Sequence, residues 1–545
     1  MKAGLRALLE RRGALLAVIA LCVASAAIKA YVNAPRDNIA HGDAGYYLTL
    51  ARNLASGRGF VIDYVPDFLS GERRIPHPAN TYWMPLTSVV LAAAMSVFGQ
   101  AFGVAKATMI AVSSLAPAVA YALGRELFGG RRPALVAAFL AAVSGGYLTA
   151  ACQPQTHALV LVVGGLWLLL ALRARREERW LPWLGALTGL LHANRGDGIL
   201  LFGVLALMWL VPDAGQPRWS ARGLFKLALG YALVMAPLWA HNLAVLGTPM
   251  PRNLGRVAFL VDYSQLYSLP ESLTPRSFLD HGWDAIRDSK LNALAYNATT
   301  LIAGAATGNE RVPLKQVEPH QWALIALVWL GWPLLVRRRF LPVWGLVLVL
   351  FAFFTLVFSP TGIASLRATL FPVHLASFAA AGRVLELAVD RRAHAPRAVR
   401  GAGTALACLL LGWIGWAQVS DCAARTRRGV AFIHGLEARD AALMEQVIEP
   451  LGLRDAVIMT WDVHELHVHT GLKLVMVPHE PLETIHRVAL ELGVTHVLLF
   501  GNVEQHAETR PGLAAIPKAT DRFERIFRGH VREEPVRVYR VLPPR

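Results

Sequence analysis

What most constrains this chain is the recurrence of apolar stretches of about 20 residues, the length a helix needs to cross the hydrocarbon core of a bilayer. They lie near 14–32, 103–124, 133–150, 156–173, 180–194, 197–212, 223–246, 320–336, 340–358, 364–388 and 401–420. A soluble chain of 545 residues needs more charge than the 17% found here beside 55% apolar residues, and the mean hydropathy is +0.41. In lipid a spanning segment must satisfy its own backbone, so the apolar stretches read as helices. The expected fold class is an α-helical polytopic membrane protein with about eleven spans.

The net charge of +17 would suit a nucleic-acid binder, but its distribution argues against one. The basic residues come in short runs between apolar segments: "GRELFGGRR" at 124–132, "RARREER" at 173–179, "RRR" at 337–339 and "RRAHAPRAVR" at 391–400. Such spacing follows the positive-inside rule, whereas nucleic-acid binding gathers charge on one domain face. The stretch "YWMPLTSVVLAAAMSVFG" (82–99) is apolar but short and carries Pro85. Read as a re-entrant or surface helix, it leaves all four basic runs in the cytoplasm. The N-terminus is then cytoplasmic, its long apolar run an uncleaved first span. Loops 33–102 and 247–319 face outward, as does everything after 421.

This gives a membrane region over 1–420 and a soluble extracytoplasmic α/β domain over 421–545. In that tail "DAVIMTW", "LKLVMVP", "THVLLFG" and "VRVYRVL" read as strands and "LETIHRVALELG" as an amphipathic helix. The four cysteines are scattered, so no disulfide framework or zinc knuckle is implied. The expected location is the cell membrane, in a bacterium the inner one.

The first outer loop is rich in reactive side chains: His41, Asp43, Tyr47 and Arg52, then His77 and Tyr82. A carboxylate beside the bilayer is costly unless it is paired or has a function. Asp43 has two readings, an N-cap for "AGYYLTLARNLASG" or a working acid–base group. Polar and basic groups recur at the same outer level: Lys106, Gln155, Arg195, His241, Asn242 and Arg367. Any one of the cations reads as a snorkelling anchor. Together, beside an acid, they point to an anionic lipid headgroup or phosphate. The histidines of "WDVHELHVHT" (461–470) lack the zincin spacing and read as surface or core residues. No P-loop and no GxGxxG in a strand-to-helix context is present, so the energy for any transfer must arrive preloaded in the donor.

The pattern Asp43–Tyr47–Ala51, followed by "NLASGRGF" and "YWMPLTSVVLAAAMSVFG", resembles the first outer loop of GT-C glycosyltransferases, in the branch of the protein O-mannosyltransferases and lipid A aminoarabinose transferases. "VAKATMIAVSSLAPAVAYALGRELFGG", "GLLHANRGDGILL", "APLWAHNLAVLGTPM" and "RATLFPVHLA" extend the likeness over nearly all of the membrane region. The resemblance implies a hexosyl- or pentosyltransferase that inverts the sugar of a polyprenyl-phosphate donor at the outer face. It assigns Asp43 as general base and Lys106 and Arg367 as phosphate ligands, with Arg195 expected to join them. His41, Tyr47, Arg52, His77, Tyr82, Gln155, His241 and Asn242 are the expected substrate-binding positions. The implied partners are the donor, a glycolipid, glycan or protein acceptor, and membrane lipid, with no nucleic acid.

Two departures bear on metal. Position 44 is Ala where a second acid often follows, and an outer turn acidic in some relatives reads Gln153–Pro154–Gln155. Fewer carboxylates favour chemistry with no cofactor and no tightly held divalent ion. The rival readings are a transporter or flippase of lipid-linked sugars and a non-catalytic glycan-binding membrane protein. Transporters tend to break their helices at the bilayer midplane; here the polar groups gather at one face.

Overall fold

The computed structural model describes residues 2–39, 42–251, 255–307, 314–358, 366, 368–390, 397–501 and 511–544. Its membrane region begins with α1 (Lys2–Asn33), followed by α2 (Gly42–Ala55) and α3 (Leu86–Phe98) of the loop expected to face outward. Then come α4 (Phe102–Ser113), α5 (Ala116–Phe128), α6 (Arg131–Val143), α7 (Gly145–Thr149), α8 (His157–Ala174), α9 (Leu181–Asn194), α10 (Leu201–Leu210) and α11 (Ala221–Leu246). The remainder comprises α12 (Pro275–Asp280), α13 (Trp283–Thr307), α14 (Pro319–Leu335), α15 (Leu341–Leu356), α16 (Phe371–Asp390) and α17 (Arg397–Leu443).

Seven helices among the described residues are long and apolar enough to cross a membrane, and an eighth candidate is bent by 52° between α6 and α7. Several of the eleven expected segments are helical but shorter: α9 has 14 residues, α10 has 10 and α14 has 17. For α10 the turn Gly196–Leu200 takes up part of the apolar run, whereas for α9 and α14 the run itself falls short of about 20 residues. The 82–99 stretch forms α3, of 13 residues. The loop at 247–319 holds the 25-residue helix α13, which packs on α14 and α15.

Close helix packing here depends on small residues. A Cβ at Gly185 of α9 would lie 2.0 Å from the Leu227 carbonyl oxygen of α11, and one at Gly230 would lie 2.0 Å from the Pro182 oxygen. Those two helices approach almost backbone to backbone, as small residues allow within membranes. Helix α17 has 47 residues, about 70 Å at 1.5 Å per residue. That is roughly twice the thickness of a bilayer core, so a large part of it projects beyond the membrane. Residue 421, where the sequence suggested a domain boundary, lies inside this helix.

The projecting end of α17 leads into a six-stranded sheet. Its strands are β4 (Val457–Thr460), β5 (Lys473–Met476), β6 (His496–Phe500), β7 (Phe523–Val531), β8 (Glu534–Val541) and β2 (Tyr64–Val65). The order is β2-β5-β4-β6-β8-β7, with β2 through β6 parallel and β8 and β7 antiparallel. The four strands read from sequence are all present, and so is the amphipathic helix, α19 (Leu482–Glu491). "HELHVHT" is a short helix, α18 (His464–Thr470). The edge strand β2 comes from the first outer loop, which also pairs β1 (Val61–Ile62) with β3 (His77–Pro78). One hydrophobic cluster joins Leu48, Tyr64 and Phe68 of that loop to Met459, Leu474 and Val497 of the sheet.

Candidate functional site

Asp43 lies in the first turn of α2, where the helix dipole favours a carboxylate. Its side chain is half-buried, and among the described residues it accepts no hydrogen bond and makes no ion pair. One turn on, Tyr47 is buried. Burial pushes its phenol well above the usual value, the Asp43 charge adds to that, and Arg195 opposes it. Arg195 stands where α9 ends, in a turn fixed by buried Asn194. The Asn194 amide nitrogen donates to the Thr156 carbonyl oxygen at 3.1 Å, and its oxygen accepts from Thr87 Oγ1 of α3 at 2.7 Å. Three elements are thereby locked around the turn.

The Arg195 guanidinium grips Asp197, with Nη2 2.7 Å from Oδ2 and Nε 3.0 Å from Oδ1, while Nη1 donates to Thr156 Oγ1 at 3.2 Å. Burial works against its charge; Asp197, then Tyr47 and Asp43, outweigh it and hold Arg195 above its ordinary value. Arginine has five N–H donors. These contacts leave one N–H on Nη1 and one on Nη2 for a ligand. Arg195 and Asp197 also line a narrow cavity whose other walls, Thr369 apart, are apolar, including Val160, Leu201, Leu346 and Leu350. A cation at the head of a greasy slot can hold an amphiphile with an anionic head.

The C-terminal domain reaches the same place. His464, at the start of α18, packs edge-on to Trp83 at 5.2 Å and to Tyr64 at 5.3 Å, and its Nδ1 lies 3.2 Å from the Tyr64 hydroxyl. Burial lowers its pKa to about 4, with Asp43 and Asp462 pulling the other way. Tyr82, edge-on to Trp83 at 4.7 Å, is raised by burial and then by Asp43 and Asp67. Asp43, Tyr47, Tyr82 and Arg195 therefore share one electrostatic neighbourhood.

The other expected site residues fall elsewhere. Lys106 Nζ donates to the carbonyl oxygens of Asn33 at 3.1 Å and Arg36 at 2.5 Å, closing the end of α1. Arg52 Nε reaches the Gln100 carbonyl oxygen at 3.3 Å. His77 is buried on β3, its Nε2 3.2 Å from Thr81 Oγ1, and burial lowers it to about 3. Gln155 is buried in the turn beside Thr156. His241 stacks obliquely on Phe60 at 4.7 Å, and Asn242 Nδ2 donates to the Pro249 carbonyl oxygen at 3.2 Å. His41 and Arg367 lie outside the described residues.

Sequence reasoning assigned no site role to Asp197, Asp67 or His464. Asp197 follows Arg195 by two residues, a spacing that itself signals a local pair. Asp67 is buried, accepts from the Leu69 N–H at 3.0 Å, and is raised by burial to about 7; nothing local in "VPDFLS" marks it. The histidines of α18 serve separate partners: His467 Nδ1 lies 2.8 Å from the Leu472 carbonyl oxygen and His469 Nδ1 2.7 Å from Asp440.

Residues 77–241 match the family model described as dolichyl-phosphate-mannose-protein mannosyltransferase. Over the whole chain, the ArnT structure from Cupriavidus metallidurans bound to undecaprenyl phosphate superposes with a TM-score of 0.56 at 16% identity, covering 96% of this chain and 97% of that one. The chain shares the fold of that ArnT structure. The Archaeoglobus fulgidus oligosaccharyltransferase in its apo form gives a TM-score of 0.55 at 13% identity, covering 93% of this chain and 73% of that one. The AglB structure from the same organism, with an inhibitory peptide and a dolichol-phosphate, gives 0.54 at 13% identity, covering 93% and 72%. Among curated proteins none matches by sequence. That likeness runs through the bundle of apolar helices, the loop at 33–102 and the C-terminal sheet domain alike.

Proposed function

We propose that this chain is an integral membrane glycosyltransferase that moves a sugar from a polyprenyl-phosphate donor to an acceptor hydroxyl at the extracytoplasmic face, with inversion. The observation that carries the reading is a half-buried carboxylate, Asp43, within the electrostatic reach of Arg195, which stands at the head of a largely apolar cavity. Two structures of the same fold support the donor class, since they hold undecaprenyl phosphate and a dolichol-phosphate.

In this reading the lipid tail lies along Leu201, Leu346 and Leu350, with its phosphate at the free N–H groups of Arg195. Asp43 takes the proton of the acceptor hydroxyl as that oxygen attacks the anomeric carbon. The bond from that carbon to the phosphate oxygen breaks, and both electrons leave with the phosphate, whose growing charge Arg195 stabilises. Attack opposite the leaving group inverts the centre. Arg367 is proposed as a second phosphate ligand. Lys106 joins them only by releasing the carbonyl oxygens it now holds. Tyr47 and Tyr82 wall the space beside Asp43, and no metal is invoked. The basic runs support a cytoplasmic N-terminus, and in this reading the sheet domain lies outside, over the mouth where an acceptor arrives.

The test compares glycolipids and envelope glycans by mass spectrometry in cells with the wild-type chain, without it, and with Asp43→Asn. The expected result is a product one sugar heavier that appears only with the wild type. An unchanged glycan profile on removing the chain, together with no transfer by the purified protein from any polyprenyl-phosphate sugar, overturns the reading.

A further inference from the structure

Away from Asp43, three metal-ligating side chains converge where the projecting half of α17 meets the segment between α1 and α2. His434 and Glu437 are three residues apart on α17 and so share one face. Asp37 faces them from the other segment. His434 Nε2 lies 3.0 and 3.1 Å from the two carboxylate oxygens of Asp37, and Glu437 accepts from the neighbouring Asn38 amide. One ligand atom from each of Asp37, His434 and Glu437 lies within 4.8 Å of the others.

A second observation sets this group apart. In so basic a chain the carboxylates generally meet arginines, as Asp63 does with Arg58 and Glu449 with Arg454. Among the described residues Asp37 and Glu437 bond to no Arg or Lys and instead face an imidazole and an amide. The nearby cations, of which Lys106 feels the charge of Asp37, give their hydrogen bonds to other groups: their N–H donors reach backbone and amide oxygens. Lys106 Nζ is held by the Asn33 and Arg36 carbonyl oxygens, and Arg36 Nη1 by Asn33 Oδ1 at 3.1 Å. Two carboxylates and a histidine thus stand together with no arginine or lysine bonded to them. The side chains of His434 and Asp37 are 51% and 62% exposed, so an ion can enter from solvent.

We propose that Asp37, His434 and Glu437 form a divalent-metal site that staples α17 to the segment leading into α2. One imidazole nitrogen and two carboxylate oxygens suit zinc, with water in a fourth position. Calcium or magnesium would call for an all-oxygen set. His-x-x-Glu spacing on a helix projects both ligands to one side, as Glu-x-x-His does in bundle metal sites. The ion replaces the histidine–carboxylate hydrogen bond and fixes the chain just upstream of Asp43. The site is structural and takes no part in the proposed transfer.

The test uses the full chain in lipid nanodiscs, stripped with chelator and titrated with zinc ion alone, with no sugar donor present. It therefore stands or fails independently of the transferase reading. The expected result is one zinc per chain by elemental analysis and a higher melting temperature with zinc. Asp37→Asn, His434→Ala and Glu437→Gln should each weaken binding by at least about tenfold and abolish the thermal shift. These groups lie at the surface, so the metal-free melting curves should match the wild type. Asp37→His, which keeps a ligand, should retain zinc. No bound zinc in the wild type, or equal binding in all three variants, overturns the proposal.

Discussion

The ring of His464 rests on Gly42: a Cβ at that glycine would come within 3.1 Å of His464 Cδ2. Three residues along, a Cβ at Gly45 would sit 3.2 Å from the His464 carbonyl oxygen. Helix α18 of the C-terminal domain therefore packs directly on the turn of α2 that carries Asp43. A side chain at Gly42 must move either α18 or Asp43. Gly42→Val should lower turnover more than Gly42→Ala, while donor binding, measured separately, stays near wild type. Equal turnover for Gly42→Val and wild type would show that the α18 contact does not govern the position of Asp43.

The same contact should depend on pH. Burial lowers the His464 pKa to about 4 from an ordinary value near 6.5. Between those values the unfolded chain binds the proton that the folded one refuses, so stability rises with pH across that window. It is fully present above about 6.5 and lost as pH falls towards 4, a swing of up to about 3 kcal/mol. Asp67, raised to about 7, works the other way over this window. The His464 slope is therefore read as the difference between the wild-type and His464→Phe melting curves from pH 4 to 7. A variant with an unchanged slope would assign the pH dependence to other groups.

Much of this architecture is legible in the sequence, for identifiable reasons. Strands β4, β5, β6 and β8 are dense in Val, Ile and Leu with turn residues between them, so local pattern is enough. Asp43 stands out because charge beside an apolar segment is costly. The seat of His464 on Gly42 comes from a contact between residues some 400 positions apart, which no local pattern encodes. Strand β2 is the same case: two residues, Tyr64 and Val65, complete a sheet built otherwise from the C-terminal region. Cutting away residues 425–545 would strip that strand of its partner, so point substitutions are cleaner probes of the domain than truncation. The role expected of Lys106 rested on its position near the start of a span, and position does not reveal that its ammonium is held by the end of α1.

Arg195 and Asp197 should respond asymmetrically. The pair is half-buried, with side chains 29% and 14% exposed, so losing one partner should cost less than the roughly 3–5 kcal/mol typical of a fully buried pair. Arg195→Ala should therefore lower the melting temperature and also abolish binding of polyprenyl phosphate. Asp197→Asn keeps the shape of the turn and frees more of the guanidinium. It should destabilise the protein yet retain, or tighten, phosphate binding. Loss of phosphate affinity in Asp197→Asn alone would move the phosphate away from Arg195.

Asp43→Asn tests the chemistry most directly, because it removes one property and leaves the rest. Asparagine fits the first turn of a helix nearly as well as aspartate, and among the described residues Asp43 has no partner whose loss would unfold α2. The lost ability is to accept a proton. General-base catalysis is typically worth about 10²–10⁴-fold, so turnover in lipid with the true donor should fall at least 100-fold by the lower of those bounds. Donor affinity should hold or rise slightly, since removing the negative charge beside Arg195 leaves its guanidinium more available to phosphate. Binding and turnover must be measured separately to see this split. Near wild-type turnover in a folded Asp43→Asn protein would leave Asp43 a helix-end residue and move the base to another group at the outer mouth.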